Sequence, residues 1–255
     1  MSKPLITGPL FKWFGSKWLS AKTLPEPKHE VIIEPFAGSA GYSLRYPERN
    51  VVICESNGHI YALWCWLTSL ARECDIREIP VNVPEGTDIL TLGLSRGQAL
   101  LLKSWQRTNT TGDCWTISPW GNKPGQWTEN TRARVASEFE AIRHWVVYDD
   151  GLPILRTWIR EATWFVDPPY QYNYQYGGRP IDYQELAQMI LSRKGQKIVC
   201  EAEDPTMGYV PTWLPFEYWE HESRVDGKLR TIIIAKSCYG LRTPNGVLLW
   251  TRVRV

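Results

Sequence analysis

The sequence has few of the features that mark metal proteins, membrane proteins and strongly charged binding proteins. Only 4 of its 255 residues are histidine, and its 6 cysteines include no Cys-x-x-Cys pair, so the spacing of a zinc site is missing. No apolar run approaches the roughly 20 residues of a membrane-spanning helix. The formal net charge of +2 excludes a global basic field for attracting nucleic acid. We therefore expect no metal and no membrane contact, and any basic surface must be local.

The start of the chain lacks the continuous apolar core of a signal peptide, because Pro4, Pro9 and Lys12 interrupt it. Most cysteines lie in apolar runs, which favours buried reduced thiols over disulfides. Both observations predict a cytoplasmic protein. The length allows one large α/β domain or a domain with a sizeable insertion, and 43% hydrophobic residues suffice for a core.

The most informative stretch is an apolar, strand-like run, Thr163–Val166, that leads directly into Asp167, Pro168, Pro169 and Tyr170. Neither proline donates a backbone N–H, so the run ends in a stiff turn whose carbonyls remain available as acceptors. A carboxylate and a proline carbonyl can accept both hydrogens of an amino group, while a tyrosine ring stacks on a planar base. The alternative is a rigid turn that only ends the strand.

A nucleotide-binding pattern lies upstream of that turn. An apolar strand, Val31–Ile33, runs into a loop of small residues, Glu34–Gly41, and a second strand, Val51–Cys54, ends at Glu55. In such β-loop-α units, glycines let the backbone approach a ligand and an acid at the next strand end binds ribose hydroxyls. The alternative role for Glu55 is to cap the helix that begins near Gly58.

The segment Pro9–Leu19 is rich in aromatic residues and carries Lys12 and Lys17 on either side of a Gly15-Ser16 turn. Two interpretations of this segment remain open. Its aromatics dock on the core, or an aromatic and a lysine hold an adenine ring and a carboxylate.

Together these stretches resemble the Dam-like (D12 class) adenine-specific DNA methyltransferases. Asp167–Tyr170 is the Asp-Pro-Pro-Tyr catalytic motif in its DNA-adenine form, and residues 36–41 resemble the Phe-x-Gly-x-Gly motif. Glu55–Asn57 is similar to the family's Asp-x-Asn, with glutamate in place of aspartate, and Lys12–Lys17 resembles Lys-Trp-x-Gly-Gly-Lys. The aromatic-lysine start, the glycine loop with the acid beyond it, and the Asp-Pro-Pro-Tyr motif also follow one another in the order seen in the family, over about two thirds of the chain.

Besides Glu55, two further residues depart from the family pattern, because Ser16 and Ala40 stand where glycines are usual. The resemblance implies that S-adenosylmethionine is the methyl donor and that no metal is needed. The residues it implies for binding S-adenosylmethionine are Trp13, Lys17, Glu34, Phe36, Ala37, Gly38, Glu55 and Asp167. The residues it implies for catalysis are Asp167, Pro168, Pro169 and Tyr170.

The resemblance also implies a fold, namely an α/β, Rossmann-like methyltransferase sheet of seven strands. The antiparallel strands expected near the end of the chain fit that fold, whose last strand inserts antiparallel. The catalytic domain would comprise residues 1–74 and 152–255. Residues 75–151 would form an inserted, mostly helical target-recognition segment, in which no family motif matches.

Within that segment, residues 104–130 form a polar, glycine-punctuated stretch with spaced tryptophans and cations, and a helical pattern follows. Such a stretch suits phosphates and base edges, so we expect DNA contacts here. The candidates are Arg107, Lys123, Arg132 and Arg134. An ordinary surface insertion is the alternative.

The predicted activity is direct, in-line transfer of a methyl group to the exocyclic amine of an adenine flipped out of double-stranded DNA. Alternatives are an RNA adenine or cytosine-amine methyltransferase, or a catalytically silent DNA-binding relative. A monomer is the simplest assembly, and a restriction partner is left open.

Overall fold

A computed structural model describes residues 5–106, 114–170, 181–203, 213, 218–225 and 228–235; beyond residue 201, side chains are described only for Trp213. The strands are β1 (Val31–Glu34), β2 (Asn50–Cys54), β3 (Val146–Tyr148), β4 (Ala162–Val166), β5 (Gly195–Glu203), β6 (Tyr218–Val225) and β7 (Lys228–Ala235).

Helices separate most of these strands. The α-helices are α1 (Gly58–Cys65), α2 (Glu73–Arg77), α3 (Arg96–Trp105), α4 (Glu129–Glu138), α5 (Gly151–Thr157) and α6 (Tyr183–Ser192). Short 3-10 helices occupy Ser20–Lys22, Ser43–Arg45, Ile89–Leu92 and Phe139–Ile142, and a π-helical turn at Trp66–Leu70 extends α1. Across the described ranges, no helix combines the length and apolar character needed to span a lipid bilayer.

Five strands form a parallel sheet in the order β3–β2–β1–β4–β5. This sheet and its helices confirm the predicted α/β class. Beyond β5, strand β7 pairs antiparallel with β5, and β6 pairs antiparallel with β7. Chain order reverses beside β1, because β2 and β3 lie on one side of it and β4 and β5 on the other.

The central strands are apolar because both faces of the sheet are covered, as is usual for parallel strands. Successive side chains point to opposite faces. Ile32 and Phe165 belong to the larger core, with α1 and α3, whereas Ile33 and Trp164 belong to the smaller core, with α5 and α6. All four side chains are almost completely buried.

The segment predicted as an insertion packs into the larger core rather than standing apart from it. Helix α3 packs against α1, and α4 packs against α2. The indole Nε1 of Trp105 donates to the Leu10 carbonyl over 3.2 Å. Strand β3 pairs with β2, so the sheet resumes at Val146, before the predicted boundary at residue 152. Three residues are too few to produce a clear strand pattern in the sequence.

The described cysteines are all free thiols. Cys54 and Cys200 are completely buried in the two cores. Burial raises the pKa of the Cys54 thiol to about 12 and also raises that of Cys200, so both behave as small apolar side chains.

Candidate functional site

A cavity of about 750 Å³ opens at the carboxyl ends of the central strands. This is the place where chain order reverses, and in open α/β sheets such a crevice is where ligands bind. All the residues predicted to bind S-adenosylmethionine line it, namely Trp13, Lys17, Glu34, Phe36, Ala37, Gly38, Glu55 and Asp167. The structure therefore brings together four stretches of chain, and their roles remain predictions.

Asp167, directly after β4, forms a buried ion pair with Lys17. The Lys17 ammonium lies 2.5 Å from Oδ2 of Asp167, and it also donates to the Gly15 carbonyl over 2.9 Å. The two side chains are only 7% and 16% exposed. Oδ1 of Asp167 is buried and accepts no hydrogen bond in the part of the chain that the structure describes. One carboxylate oxygen is thus held by Lys17, and the other is buried without a partner among the described residues.

Burial dominates the electrostatics of Asp167. Removal from water raises the pKa of this carboxyl, and the Lys17 charge and the Tyr170 hydroxyl oppose that change. The Lys17 ammonium lies 5.1 Å from the centroid of the Tyr170 ring. Lys17 therefore helps to keep Asp167 ionised, which is the form that accepts hydrogen bonds at both oxygens.

Glu34 ends β1 at the floor of the cavity and is 1% exposed. Its Oε1 accepts the backbone N–H of Ser43 over 2.8 Å. Burial raises the pKa of Glu34 to about 8, although hydrogen bonds from Ser43 favour the charged form. A buried acid thus lies beneath the ion pair of Lys17 and Asp167.

Glu55 follows β2 and holds the glycine loop in place. Its Oε2 accepts the Gly38 N–H over 2.9 Å, and its Oε1 accepts the Asn57 N–H over 2.8 Å. The N-cap of α1 is Asn57, whose Oδ1 accepts the N–H groups of His59 and Ile60. The alternative role of Glu55 as the cap is therefore wrong. Its remaining lone pairs can serve ribose hydroxyls.

The N-terminal segment contributes to both the core and the cavity, and its role in binding a ligand remains a prediction. Leu10 and Phe11 are completely buried in the larger core, whereas Trp13 and Lys17 line the cavity. The segment comes close enough to require glycine at position 41, because a Cβ there would lie 2.4 Å from the Trp18 nitrogen.

Both departures from the family pattern are accommodated in this region. The Ser16 hydroxyl bonds to that of Ser39 over 2.8 Å. Ala40 has a φ of 48°, in the left-handed region where glycine is usual, which fits the glycine of the family motif at this position.

The Pro-Pro turn itself is only partly exposed to the cavity. Asp167 and Pro169 line the cavity, whereas Pro168 is buried beside it. The Pro169 carbonyl accepts the Tyr183 hydroxyl over 2.5 Å. Tyr183 lies at the start of α6 and was not predicted as part of the site.

Two acidic residues that directly follow β3 were not predicted as part of the site. Asp149 and Asp150 line the cavity because β3 ends beside β2. Asp150 caps α5 by accepting the Leu152 N–H over 2.9 Å, whereas Asp149 is exposed. Two acids directly after an apolar tripeptide were the available signal, but that stretch was assigned to the insertion.

The predicted DNA contacts lie in different surroundings, and their role in binding DNA remains a prediction. Arg107 lies outside the described residues. Lys123 is exposed at the surface. Arg132 and Arg134 instead have partners within the fold, since each donates to a backbone carbonyl of a distant segment and pairs with a glutamate of α4. These partners are the Ile79 carbonyl and Glu129 for Arg132, and the Pro9 carbonyl and Glu138 for Arg134.

No protein-family model matches the sequence, and no curated protein matches it either. Among the described residues, no group of three or more His, Cys, Asp or Glu side chains is arranged to hold a metal ion. The chemistry of the cavity therefore has to be inferred from its own residues.

Proposed function

We propose that this protein is an S-adenosylmethionine-dependent methyltransferase that acts on the exocyclic amine of adenine in double-stranded DNA. One observation carries the proposal: a single cavity joins Asp167 of the Pro-Pro turn to the glycine loop, Glu55 and the Trp13–Lys17 segment. These are the four stretches in which the sequence resembles Dam-like methyltransferases. The antiparallel position of β7 between β5 and β6 supports the methyltransferase type of sheet.

The cavity residues fit S-adenosylmethionine. A volume of about 750 Å³ lies within the range of roughly 300–1,000 Å³ of small-molecule sites. Glu55 is held in place by two backbone N–H groups and is suited to ribose hydroxyls. Gly38, with a φ of 51°, lets the loop backbone lie against the Trp13 ring, since an added Cβ would be 2.8 Å from Cδ1.

Asp167 is suited to activate an amine. When bound, S-adenosylmethionine supplies a methyl group on a positively charged sulfur. The lone pair of an aromatic amine is delocalised into the ring, so the amine is a weak nucleophile. In the proposed geometry, Oδ1 of Asp167 would accept one amine hydrogen, and the carbonyl of Pro168, which is buried beside the cavity, would accept the other. Both contacts would raise the electron density on nitrogen and orient it. Lys17 holds Oδ2 and keeps the carboxylate from rotating away.

The recessed position of Asp167 requires the target base to leave the stack. Asp167 has a 16% exposed side chain at the wall of a cavity, which a base inside a duplex does not reach. Base flipping solves this problem, and Tyr170 offers a ring on which the flipped base can stack. The choice of adenine and of DNA rests on the Asp-Pro-Pro-Tyr resemblance, and exposed Lys123 remains a candidate for phosphate contact.

The test incubates the purified protein with tritiated S-adenosylmethionine and unmethylated duplex DNA, followed by digestion to nucleosides. We expect label in methyladenosine. Label in methylcytidine, or label only when RNA is supplied, would keep amine methylation and change the substrate. No binding of S-adenosylmethionine by calorimetry would refute the proposal.

The variant Asp167→Asn tests the assigned chemistry, because the amide presents one acceptor and no charge. At saturating S-adenosylmethionine, we expect the single-turnover rate to fall by about 100-fold or more. Asp88→Asn is the matched control, since Asp88 caps a 3-10 helix at the surface and asparagine also caps. A near-normal rate in Asp167→Asn would contradict the mechanism.

A further inference from the structure

The side chain of Tyr183 connects the Pro-Pro turn to α6 by a hydrogen bond. Its hydroxyl donates to the Pro169 carbonyl over 2.5 Å. Tyr183 is the first residue of α6, and Asp182 caps that helix by accepting the N–H groups of Gln184 and Glu185 over 3.0 Å each. The cap fixes the backbone of Tyr183, which defines the position from which its side chain extends.

The Tyr183 ring packs against Trp213, which is hydrogen-bonded to Glu201. Its centroid lies 5.4 Å from that of Trp213, with an angle of 49° between the rings. Trp213 is 1% exposed, and its Nε1 donates to Oε2 of Glu201 over 2.8 Å. Glu201 is completely buried on β5. The Tyr183 ring therefore packs on a buried tryptophan that is hydrogen-bonded to strand β5 through Glu201.

The turn depends on such outside support. Neither proline has a backbone N–H, so the two prolines donate no hydrogen bond that could stabilise the turn. Burial, together with the charge of Glu201, raises the pKa of Tyr183 to about 12. Its hydroxyl therefore stays protonated and remains a donor throughout the neutral range.

We propose that Tyr183 is a positioning residue for methyl transfer: by holding the Pro169 carbonyl, it fixes the direction in which Asp167 and the Pro168 carbonyl face the amine. This inference rests on the proposed function. The hydrogen bond also occupies one of the two lone pairs of the Pro169 carbonyl, which favours the Pro168 carbonyl as the acceptor that acts with Oδ1 of Asp167. A displacement of about 1 Å at this turn is enough to slow transfer by about 100-fold.

The test compares Tyr183→Phe with Tyr42→Phe. Each change deletes one hydroxyl that donates to a proline carbonyl, since Tyr42 donates to the Pro25 carbonyl over 2.7 Å. Pro25 belongs to a segment that does not carry the Asp167 turn. The two variants therefore lose the same type of bond, and they differ in whether that bond braces the turn.

We expect Tyr183→Phe to lower the single-turnover rate by about 10-fold to 100-fold, with S-adenosylmethionine affinity within about twofold of the wild type. Tyr42→Phe should lower the melting temperature and leave the rate, measured well below that temperature, unchanged. A merely structural Tyr183 would give the same pattern as Tyr42, with lower stability and a normal rate. That result would overturn the inference.

Crystal structures of the wild type and Tyr183→Phe separate the two proposals. If the wild-type protein binds no S-adenosylmethionine and labels no nucleic acid, the proposed function fails, and the structures still decide whether the hydroxyl holds the turn. A moved Pro169 carbonyl in the variant supports its role in holding the turn. An unmoved turn overturns that role, whatever the activity.

Discussion

Glu34 makes the stability of the protein depend on pH in a way that can be calculated. It is 1% exposed, and burial raises its pKa from an ordinary 4.5 to about 8. Between these two pH values the folded state keeps the proton that the unfolded chain releases. A carboxyl group with a raised folded pKa destabilises the fold as pH rises, so its effect grows from pH 4.5 and levels off near pH 8.

The size of the effect follows from the same two values. They differ by about 3.5, and each pKa unit corresponds to about 1.36 kcal/mol, so Glu34 lowers the free energy of unfolding by up to about 5 kcal/mol at alkaline pH. Glu34→Gln removes the titration and keeps an acceptor for the Ser43 N–H. The free energy of unfolding of the variant, minus that of the wild type, should therefore increase by several kcal/mol as the pH rises from 5 to 8.

Urea denaturation at pH 5, 6, 7 and 8 measures this difference directly. The amide introduced by Glu34→Gln adds an offset that does not depend on pH, so the slope of the difference against pH is the quantity to compare. Glu30→Gln is the control, because the Glu30 side chain is 65% exposed and its replacement should not change the slope. Parallel stability curves for Glu34→Gln and the wild type would refute the reasoning.

Four further substitutions test other parts of the structure. Gly41→Ala should destabilise the fold by about 1–3 kcal/mol in urea denaturation, because the new Cβ meets the Trp18 backbone at 2.4 Å; an unchanged midpoint would contradict the close approach. Glu55→Gln should weaken S-adenosylmethionine binding by about tenfold or more in calorimetry, since charged acceptors form the stronger hydrogen bonds, and unaltered affinity would count against the ribose role. Arg134→Ala should lower the melting temperature without altering the slope of log K for DNA binding against log salt concentration, whereas Lys123→Ala should reduce the magnitude of that slope by about 1. The reverse pattern would identify Arg134 as a DNA contact.

The central strands could be predicted from the sequence because burial on both faces of a parallel sheet produces apolar runs bounded by loops. The expected strands near residues 31–33, 51–54 and 163–166 correspond to β1, β2 and β4. Their order in the chain, with loops at their carboxyl ends, also predicted which residues meet. This is why six of the eight cofactor candidates line one cavity, whereas Trp13 and Lys17 reach it from the N-terminal segment.

Other features could not be read from local patterns. Strand β3 has three residues, of which Val146 and Tyr148 are exposed, so it lacks the apolar run of its neighbours. Because β3 was not predicted, the position of Asp149 at the cavity was not predicted either. Arg132 and Arg134 are ordinary basic residues in the sequence, and only packing reveals that their guanidinium groups hold distant backbone carbonyls. The role of Tyr183 could not be predicted for the same reason, because its partner is the backbone carbonyl of Pro169, which no sequence pattern marks.

The ion pair between Lys17 and Asp167 joins residues that are 150 positions apart. Contacts of such long sequence separation form late, because the chain entropy of closing the loop has to be lost before the contact contributes. During synthesis, Lys17 emerges from the ribosome well before its carboxylate partner exists. The cavity is therefore completed only after β4 has joined β1, so a truncated chain that ends before Asp167 lacks the site even if its first strands pair correctly.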